Sequence, residues 1–256
     1  MNRVRAIWDG GGQAVGAWLQ IGGALSAETI AGCGFDTVVI DLQHSLIDFS
    51  TCAAMLLAIE KQGVEPIVRM HWNEPAAIMK LLDAGAYGVV APMIETAEEA
   101  RAFADCLHYP PKGKRSWGPR RPLIRYGKDY AAQASASVVS MAMIETRRGL
   151  DNLDAILAVD GLDGIFIGPA DLALALGRAP RADHDDPEVV ATIANIRERT
   201  HAAGKKVGIF TAAPAFSAQK LREGFDLVTI TPDLMMLEAA ARRTLAEIRE
   251  ASRRDT

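Results

Sequence analysis

Short apolar runs alternate along the chain with longer amphipathic segments. The apolar runs are dominated by Val, Ile, Ala, Met and Phe rather than by a regular alternation of apolar and polar residues. Strands that are buried on both faces of a parallel sheet have this composition. Eight runs are therefore predicted as strands: VGAWLQI (15–21), TVVIDLQH (37–44), PIVRM (66–70), GVVAPM (88–93), VVSMAMIE (138–145), GIFIGP (164–169), VGIFTA (207–212) and LVTITP (227–232).

The segments between these runs have helical spacing, and several end at a glycine that can close a helix in the left-handed conformation. Examples are 49–63, 74–85 and 188–204. Eight strand–helix units in 256 residues predict an α/β protein with one (β/α)8 barrel domain covering residues 1–256, and a doubly wound open sheet is the main alternative. The last predicted helix, 234–254, is long enough to reach beyond its own barrel.

Composition and charge narrow the class of protein. The chain is 49% hydrophobic and 23% charged, and its net charge of −4 gives no reason to expect nucleic acid or an anionic membrane as a partner. The three cysteines, an odd number without C-x-x-C spacing, fit a reduced cytosolic protein. No apolar stretch approaches the ~20 residues of a membrane span, and the N-terminus lacks the apolar run of a signal peptide. We therefore expect a soluble cytoplasmic protein.

One segment interrupts the alternation of strands and helices. Residues 109–135 (YPPKGKRSWGPRRPLIRYGKDYAAQAS) contain seven basic residues against one acid, Asp129. A loop of this length in a compact domain is usually functional or disordered. Two interpretations are open: a solvated loop or subunit contact, and a basic flap over an anionic substrate.

Polar residues stand at the carboxyl ends of the predicted strands. In a (β/α)8 barrel these ends share one rim, and active sites are built on that rim. The polar positions are Asp41 and His44 on the second strand, Arg69 on the third, Glu145 on the fifth, and Gly168 through Ala170 to Asp171 on the sixth. We therefore expect residues from distant parts of the sequence to converge on one site.

Glu145 and Asp171 are candidate metal ligands. Two convergent carboxylates repel each other unless a cation neutralises them, and oxygen ligands suit a hard divalent cation such as Mg²⁺ or Mn²⁺. Waters and substrate oxygens would take the remaining coordination positions. The alternative is that each residue caps the helix that follows it, and this alternative is stronger for Asp171, which precedes LALALG.

Three further residues have both a catalytic and a structural interpretation. Arg69 ends a buried strand and needs an anionic partner, which is a substrate or else Glu145 or Asp41. His44 is a candidate base or a rim histidine without a role. Asp83, within the apolar sequence LLDAG, could support a histidine in the same subunit or across an interface, although the sequence alone favours a surface carboxylate.

No lysine ends a predicted strand. A Schiff-base aldolase needs a desolvated lysine on the rim, whereas Lys205 and Lys206 precede the seventh strand on the opposite side of the barrel. Carbonyl chemistry in this protein would therefore use a metal ion. Trp18, near the end of the first strand, could wall a pocket, although core packing is the simpler explanation.

Seven segments give the chain a resemblance to a known family. They are GAWLQ (16–20), FDTVVIDLQH (35–44), VRMHWNEP (68–75), LLDAGAYGVVAPMIETAEEA (81–100), YPPKGKR (109–115), MIETRRGLDNLDAIL (143–157) and GLDGIFIGPADLALALG (161–177). The combination of IET with GxDGxFIGPxDL is specific, and the segments cover most of residues 16–232. On these motifs the chain resembles the HpcH/HpaI family of metal-dependent aldolases. The resemblance implies a (β/α)8 barrel, often assembled as a homohexamer in which neighbours exchange the last helix.

The resemblance also implies a role for each catalytic candidate. It makes His44 the base, Asp83 the acid that supports it, and Arg69 the residue that stabilises the enolate. Glu145 and Asp171 become the ligands of the divalent metal, with Co²⁺ as a further candidate beside Mg²⁺ and Mn²⁺.

The substrate site follows from the same resemblance. The backbone amides of Ala170 and Asp171 hold the substrate carboxylate, and Gly168 and Trp18 are further substrate contacts. The implied reaction is the reversible aldol addition of a pyruvate or hydroxypyruvate enolate to an aldehyde, which makes and cleaves 4-hydroxy-2-oxo acids. The enzyme would then be a carbon–carbon lyase.

Three departures from the family pattern leave the substrate open. Gln43 replaces a frequent glutamate, Met143 stands where a glutamine often precedes the metal-binding glutamate, and Ser116 replaces the usual glycine after YPPKGKR. These changes favour the relatives that accept pyruvate or hydroxypyruvate with short aldehydes. Two alternatives are an acyl-CoA lyase of the citramalyl- or malyl-CoA type, with the basic segment 109–135 holding the CoA phosphates, and a non-catalytic barrel.

Overall fold

Eight parallel strands close into a barrel in the computed structural model, which describes residues 2–254. The strands are β1 (Ala14–Leu19), β2 (Thr37–Asp41), β3 (Glu65–Arg69), β4 (Gly88–Ala91), β5 (Val139–Met143), β6 (Gly164–Ile167), β7 (Lys206–Phe210) and β8 (Leu227–Pro232). Each strand pairs with its neighbours in chain order, and β8 closes the barrel against β1. All eight predicted strands and the (β/α)8 class are confirmed, and the open doubly wound sheet is excluded.

Helices connect the strands along the described chain. They are α1 (Arg3–Asp9), α2 (Ala24–Ala31), α3 (Phe49–Lys61), α4 (Pro75–Ala84), α5 (Ala97–Leu107), α6 (Arg120–Tyr126), α7 (Tyr130–Ser137), α8 (Arg147–Asp151), α9 (Leu153–Leu157), α10 (Pro169–Ala175), α11 (Pro187–Ala202), α12 (Pro214–Arg222) and α13 (Asp233–Arg254). The predicted helices 49–63, 74–85 and 188–204 correspond to α3, α4 and α11. At the end of α4, Gly85 has φ of 108°, the left-handed conformation that glycine adopts at helix ends without strain.

The interior of the barrel is filled by side chains that are distinct from those under the helices. Val39, Ile67, Met141 and Phe166 are all buried in this inner core. At the amino ends of the strands, α1 adds Val4 to the same core. The helix α1 therefore covers the amino end of the barrel.

The basic segment 109–135 does not form the predicted irregular loop. It includes α6 and most of α7, and its arginines are paired with acids: Arg115 with Asp83, Arg121 with Glu60, and Arg125 with Glu65. Glu65 is the first residue of β3, so Arg121 and Arg125 lie at the amino end of the barrel. A basic flap over the barrel's own carboxyl rim is therefore wrong for these residues.

Two observations bear on the class of protein. Within residues 2–254, no helix combines the length and the apolar composition that crossing a membrane requires. In the same residues Cys33, Cys52 and Cys106 are free thiols, of which Cys33 is exposed. Burial raises the pKa of the Cys52 thiol to about 12, so this thiol stays protonated and inert at neutral pH.

Candidate active site

A pocket of about 180 Å³ opens at the carboxyl ends of the strands. It is lined by Trp18, Gln20, His44, Arg69, Met143, Phe166, Gly168, Pro169, Ala170, Asp171 and Phe210. These residues follow or end β1, β2, β3, β5, β6 and β7, so the closed barrel brings together positions that are far apart in the sequence. The predicted residues Trp18, His44, Arg69 and Gly168 through Asp171 thus share one site, and none of the lining residues is a lysine.

Asp41 anchors the polar side of this pocket. It is the last residue of β2 and stands in register with Arg69, the last residue of β3. Arg69 donates from Nε to Oδ1 over 2.9 Å and from Nη2 to Oδ2 over 2.6 Å, which is a bidentate pair. Trp18 and Gln20 donate to Oδ2 as well, over 3.2 and 3.0 Å. The completely buried carboxylate is therefore surrounded by donors.

These contacts determine the charge state of Asp41 and the orientation of Arg69. Burial alone would raise the pKa of Asp41, but the hydrogen bonds and charge of Arg69, together with Gln20 and the His44 amide, hold it below its usual value. The guanidinium lies 4.8 Å above the Trp18 ring. Of the structural partners considered for Arg69, Asp41 is thus confirmed. Its Nη1 makes no hydrogen bond to any residue in the range 2–254, which leaves a donor for a substrate.

His44 lies on an exposed turn at the rim. Oδ1 of Asp41 accepts hydrogen bonds from the backbone amides of Gln43 and His44, over 3.0 and 3.2 Å. The Ser45 hydroxyl donates to the carbonyl oxygen of Asp41. The turn is therefore held by the same carboxylate that orients Arg69. Within the described chain the imidazole of His44 has no hydrogen-bond partner, so both ring nitrogens are available at the pocket.

Glu145 lies two residues beyond β5 and is only 2% exposed. Its Oε1 accepts a hydrogen bond from the Met93 amide over 2.9 Å, whereas the buried Oε2 has no partner. Burial, with a contribution from the charge of Asp171, raises the pKa of Glu145 to about 7. Met93 has φ of 56°, a left-handed conformation that costs a non-glycine residue about 1–2 kcal/mol. Such strain is typical of functional sites.

Neither carboxylate caps the helix that follows it. The N-cap of α8 is Thr146, whose side chain accepts from the Gly149 amide, and the N-cap of α10 is Gly168. Asp171 lies in the first turn of α10 and is exposed to the pocket. The alternative interpretation of Glu145 and Asp171 as helix caps is therefore wrong.

The donor set at this position fits a divalent cation. Burying the carboxylate oxygen Oε2 of Glu145 without a partner costs free energy unless a positive charge neutralises it. A cation would also offset the electrostatic repulsion between Glu145 and Asp171. In the described residues no cluster of three or more His, Cys, Asp or Glu side chains is arranged to hold a metal ion. A cation here would therefore have two carboxylate ligands and open positions for other oxygens, which is how Mg²⁺ is usually bound.

Gly168 leaves room for Glu145. A Cβ atom at position 168 would lie 2.6 Å from Oε2 of Glu145 and 2.9 Å from Cε of Met143. We expect Gly168→Ala to displace the carboxylate, to weaken metal affinity at least tenfold and to lower catalysis with it, because a carboxylate that binds a metal ion must keep its position and orientation. Isothermal titration with Mn²⁺ measures the affinity, with Gly32→Ala as the control, because Gly32 has a right-handed φ of −72° and a Cβ atom there would meet its neighbours at 3.5 Å or more. Unchanged affinity in Gly168→Ala would contradict the assignment.

Asp83 does not support His44 within one subunit. It lies near the end of α4, at the amino end of the barrel, and accepts a hydrogen bond from Nη2 of the fully buried Arg115 over 2.9 Å. His44 is at the opposite rim. The intrasubunit form of the prediction is therefore wrong, and the plain surface interpretation is also incomplete because Asp83 holds a buried arginine. Support from Asp83 across a subunit interface stays a prediction.

The pair of Asp41 with Arg69 was one of two structural pairings that the sequence offered, and the position of both residues at the ends of neighbouring strands is the signal that could have selected it. Other parts of the site were missed by sequence reasoning. Gln20 and Phe210 stood at predicted strand ends without distinguishing chemistry. The Met93 amide carries no sequence signal, since a backbone donor can come from any residue.

The comparisons with known proteins agree with this geometry. Residues 14–240 match the model of the HpcH/HpaI aldolase/citrate lyase family. The chain is 58% identical to the hydroxypyruvate/pyruvate aldolase of Rhizorhabdus wittichii, over 97% of this chain and 99% of that protein. It is 40% identical to the 4-hydroxy-2-oxo-heptane-1,7-dioate aldolase of Salmonella dublin, over 91% and 90% of the two chains. A crystal structure of an HpcH/HpaI aldolase/citrate lyase family protein from Burkholderia cenocepacia superimposes with a TM-score of 0.87 at 33% identity, covering 96% and 98%. This chain therefore belongs to the HpcH/HpaI aldolase/citrate lyase family.

Proposed function

We propose that this protein is a divalent-metal-dependent (class II) aldolase that forms the enolate of a 2-oxo acid and adds it reversibly to an aldehyde. The observation that carries the proposal is the convergence of His44, Arg69 and Asp171 on one pocket, next to the unpartnered Oε2 of Glu145. The named relatives add support, since both are aldolases by name, one of hydroxypyruvate and pyruvate and the other of 4-hydroxy-2-oxo-heptane-1,7-dioate. The reverse reaction would cleave 4-hydroxy-2-oxo acids, as a carbon–carbon lyase does.

The side chains divide the work of enolate formation. Glu145 and Asp171 would hold the Mg²⁺, Mn²⁺ or Co²⁺ ion, which when bound supplies Lewis-acid polarisation of the 2-oxo group. His44 removes a proton from C3 of the substrate, because its imidazole lines the pocket and has no hydrogen-bond partner in the described chain. Arg69 places positive charge where the enolate oxygen develops. Asp41 keeps that guanidinium in a fixed orientation before the substrate binds.

The remaining lining residues would position the substrate. The backbone amides of Ala170 and Asp171, beside Gly168, are donors for the substrate carboxylate. Trp18 and Phe210 form part of an apolar wall, with ring centroids 5.2 Å apart, that excludes water from the enolate. Pyruvate and hydroxypyruvate are small enough for this pocket, and the aldehyde would enter from the open mouth.

The protein would act as a cytoplasmic homo-oligomer, with a hexamer as the form implied by its family. In α13, the apolar side chains of Leu237, Leu245 and Ile248 are exposed, so this helix offers an apolar surface to a neighbour. Exchange of α13 between subunits would bury that surface. In the same assembly Asp83 of one subunit could approach His44 of another.

Proton exchange at C3 tests the proposed function without knowledge of the aldehyde. In D₂O, pyruvate and hydroxypyruvate should lose their C3 proton signals when the protein and Mg²⁺ or Mn²⁺ are both present. His44→Ala should reduce the exchange rate by about a hundredfold or more, the usual contribution of a general base. Serial NMR spectra give the rate, and Ser50→Ala, on the surface of α3, is the matched control.

The absence of exchange with both donors would overturn the proposal. An acyl-CoA lyase would then be the leading hypothesis, followed by a non-catalytic barrel. The structure gives the acyl-CoA lyase hypothesis little support. Arg115, Arg121 and Arg125, which would hold the CoA phosphates, are already paired with acids. The presence of His44, Arg69, Glu145 and Asp171 together likewise argues against a non-catalytic barrel.

A further inference from the structure

Two hydrogen bonds fix the orientation of the side-chain amide of Gln20 in the pocket. Its side-chain nitrogen Nε2 lies 3.0 Å from Oδ2 of Asp41 and 3.3 Å from the carbonyl oxygen of His44. Both neighbours are acceptors at neutral pH, so the amide end that faces them is the NH₂ group. The other end, Oε1, is therefore a hydrogen-bond acceptor, and no donor in residues 2–254 occupies it.

The backbone of Gln20 is fixed as firmly as its side chain. Its amide donates to Oδ1 of Asp233 over 2.7 Å, and the Ile21 amide donates to the same oxygen over 3.2 Å. Asp233 is the first residue of α13 and is only 5% exposed. Gln20 is thus held at the end of β1 from two sides. An amide oxygen with this little freedom can select among ligands, because little entropy is lost when it binds.

The position of Oε1 of Gln20 suits an interaction with a substituent on C3 of the donor substrate. Gln20 lines the pocket and is hydrogen-bonded to the backbone of His44, the residue that acts on C3 of the donor. Trp18, Phe166 and Phe210, which form the apolar side of the pocket, have no acceptor group to offer. Of Gln20 and these three wall residues, only Gln20 carries an acceptor, and it lies beside the backbone of His44, so a C3 hydroxyl directed toward this side of the pocket would meet Oε1 of Gln20.

We propose that Oε1 of Gln20 accepts a hydrogen bond from the C3 hydroxyl of the donor, and that Gln20 thereby favours 3-hydroxy-2-oxo acids over donors without that hydroxyl. The inference rests on the proposed aldolase function. It assigns donor selection to the end of β1, separate from the carboxylates and from His44. A donor without the hydroxyl leaves this amide oxygen without the hydrogen bond that a hydroxyl would donate, which is the basis of discrimination at such sites.

The test compares hydroxypyruvate with 3-fluoropyruvate in the aldehyde-free exchange reaction. Fluorine is close to a hydroxyl in size but cannot donate a hydrogen bond. Gln20→Met has similar length and removes the acceptor, so we expect the ratio of kcat/KM for hydroxypyruvate over 3-fluoropyruvate to fall about tenfold from the wild-type ratio. Comparing this ratio between the variant and the wild type cancels the difference in acidity between the two donors, and it also cancels any loss of activity that affects both donors equally.

Ser45→Ala is the matched control. Ser45 belongs to the same turn and bonds to the Asp41 carbonyl and the Ile47 amide, but it does not line the pocket. Loosening the turn should lower exchange of both donors in proportion and leave their ratio unchanged. If Gln20→Met also lowers both donors equally, Gln20 only positions Asp41 and the proposal is overturned.

A second measurement does not depend on any variant. In a crystal structure of the wild-type protein with Mg²⁺ and hydroxypyruvate, the C3 hydroxyl should lie within hydrogen-bonding distance of Oε1 of Gln20. A hydroxyl that points elsewhere overturns the inference. Exchange in the wild type with an unchanged donor ratio in Gln20→Met rejects only this inference, whereas no exchange with either donor rejects the aldolase function as well.

Discussion

Replacing Glu145 by glutamine is expected to abolish metal-dependent exchange while the protein stays folded. The amide keeps the size of the side chain but removes the negative charge from the buried Oε2. Lewis-acid activation contributes several kcal/mol, and each 1.36 kcal/mol is tenfold in rate, so a loss of about a thousandfold or more is expected. Exchange of pyruvate protons at saturating Mn²⁺ measures it.

The same substitution is expected to stabilise the metal-free protein at neutral and higher pH. Burial raises the pKa of Glu145 from 4.5 to about 7, so the folded state binds this proton more tightly than the unfolded state does. Stability contributed by this group is therefore present at low pH and is lost as the pH rises from 4.5 to about 7. Without metal and above pH 7, Glu145→Gln should be more stable than the wild type by up to about 3 kcal/mol.

Urea unfolding at several pH values, with EDTA and with Mn²⁺, tests both effects. Mn²⁺ should raise the free energy of unfolding of the wild type and leave that of Glu145→Gln unchanged, because only a ligand of the folded state stabilises it. Glu95→Gln, a half-buried rim-side acid that pairs with Arg148, is the control and should respond to Mn²⁺ like the wild type. An equal response to Mn²⁺ in Glu145→Gln would exclude Glu145 as a ligand.

Replacing Arg69 by glutamine is expected to damage stability as well as activity. Arg69 neutralises the completely buried Asp41 through two hydrogen bonds, and its loss leaves that carboxylate without a positively charged partner. Removing one member of a buried pair typically costs about 3–5 kcal/mol. The exchange rate should also fall by about a hundredfold or more, since the positive charge at the developing enolate oxygen is lost.

The double variant Asp41→Asn/Arg69→Gln separates the two losses. It replaces the ion pair by two neutral amides, so most of the lost stability should return. Activity should not return, because the guanidinium is still absent. Chemical denaturation and exchange measured on both single variants and the double variant complete the cycle. If stability and activity recover together, Arg69 acts only through the folded state and has no role at the enolate.

The barrel and its rim could be predicted because the strands are visible in short stretches of sequence, and the closed parallel barrel then brings the strand ends together. Strands buried on both faces show continuous apolar runs, and all eight were identified within a few residues at each end. Once these strands are parallel and closed, the positions of His44, Arg69 and Asp171 at one mouth follow from their place at the strand ends. The assignment of individual roles depended on the family motifs.

The contacts that the sequence did not reveal are long-range pairings. Nothing local connects Arg125 with Glu65 or Arg115 with Asp83, so the basic segment could not be distinguished from a substrate-binding flap. The network of donors around Asp41 also joins residues from three strands. Gln20 could not be recognised as a pocket residue before the two acceptors that hold its side-chain nitrogen were known.

We propose above all that Glu145 and Asp171 hold a divalent cation beside His44 and Arg69. Anomalous diffraction from a crystal of the protein soaked in Mn²⁺, recorded on both sides of the manganese absorption edge, tests it most directly. We expect one strong anomalous peak at the carboxyl end of the barrel, within coordinating distance of Oε2 of Glu145 and a carboxylate oxygen of Asp171. A peak elsewhere, with none between these two carboxylates at saturating Mn²⁺, would contradict it.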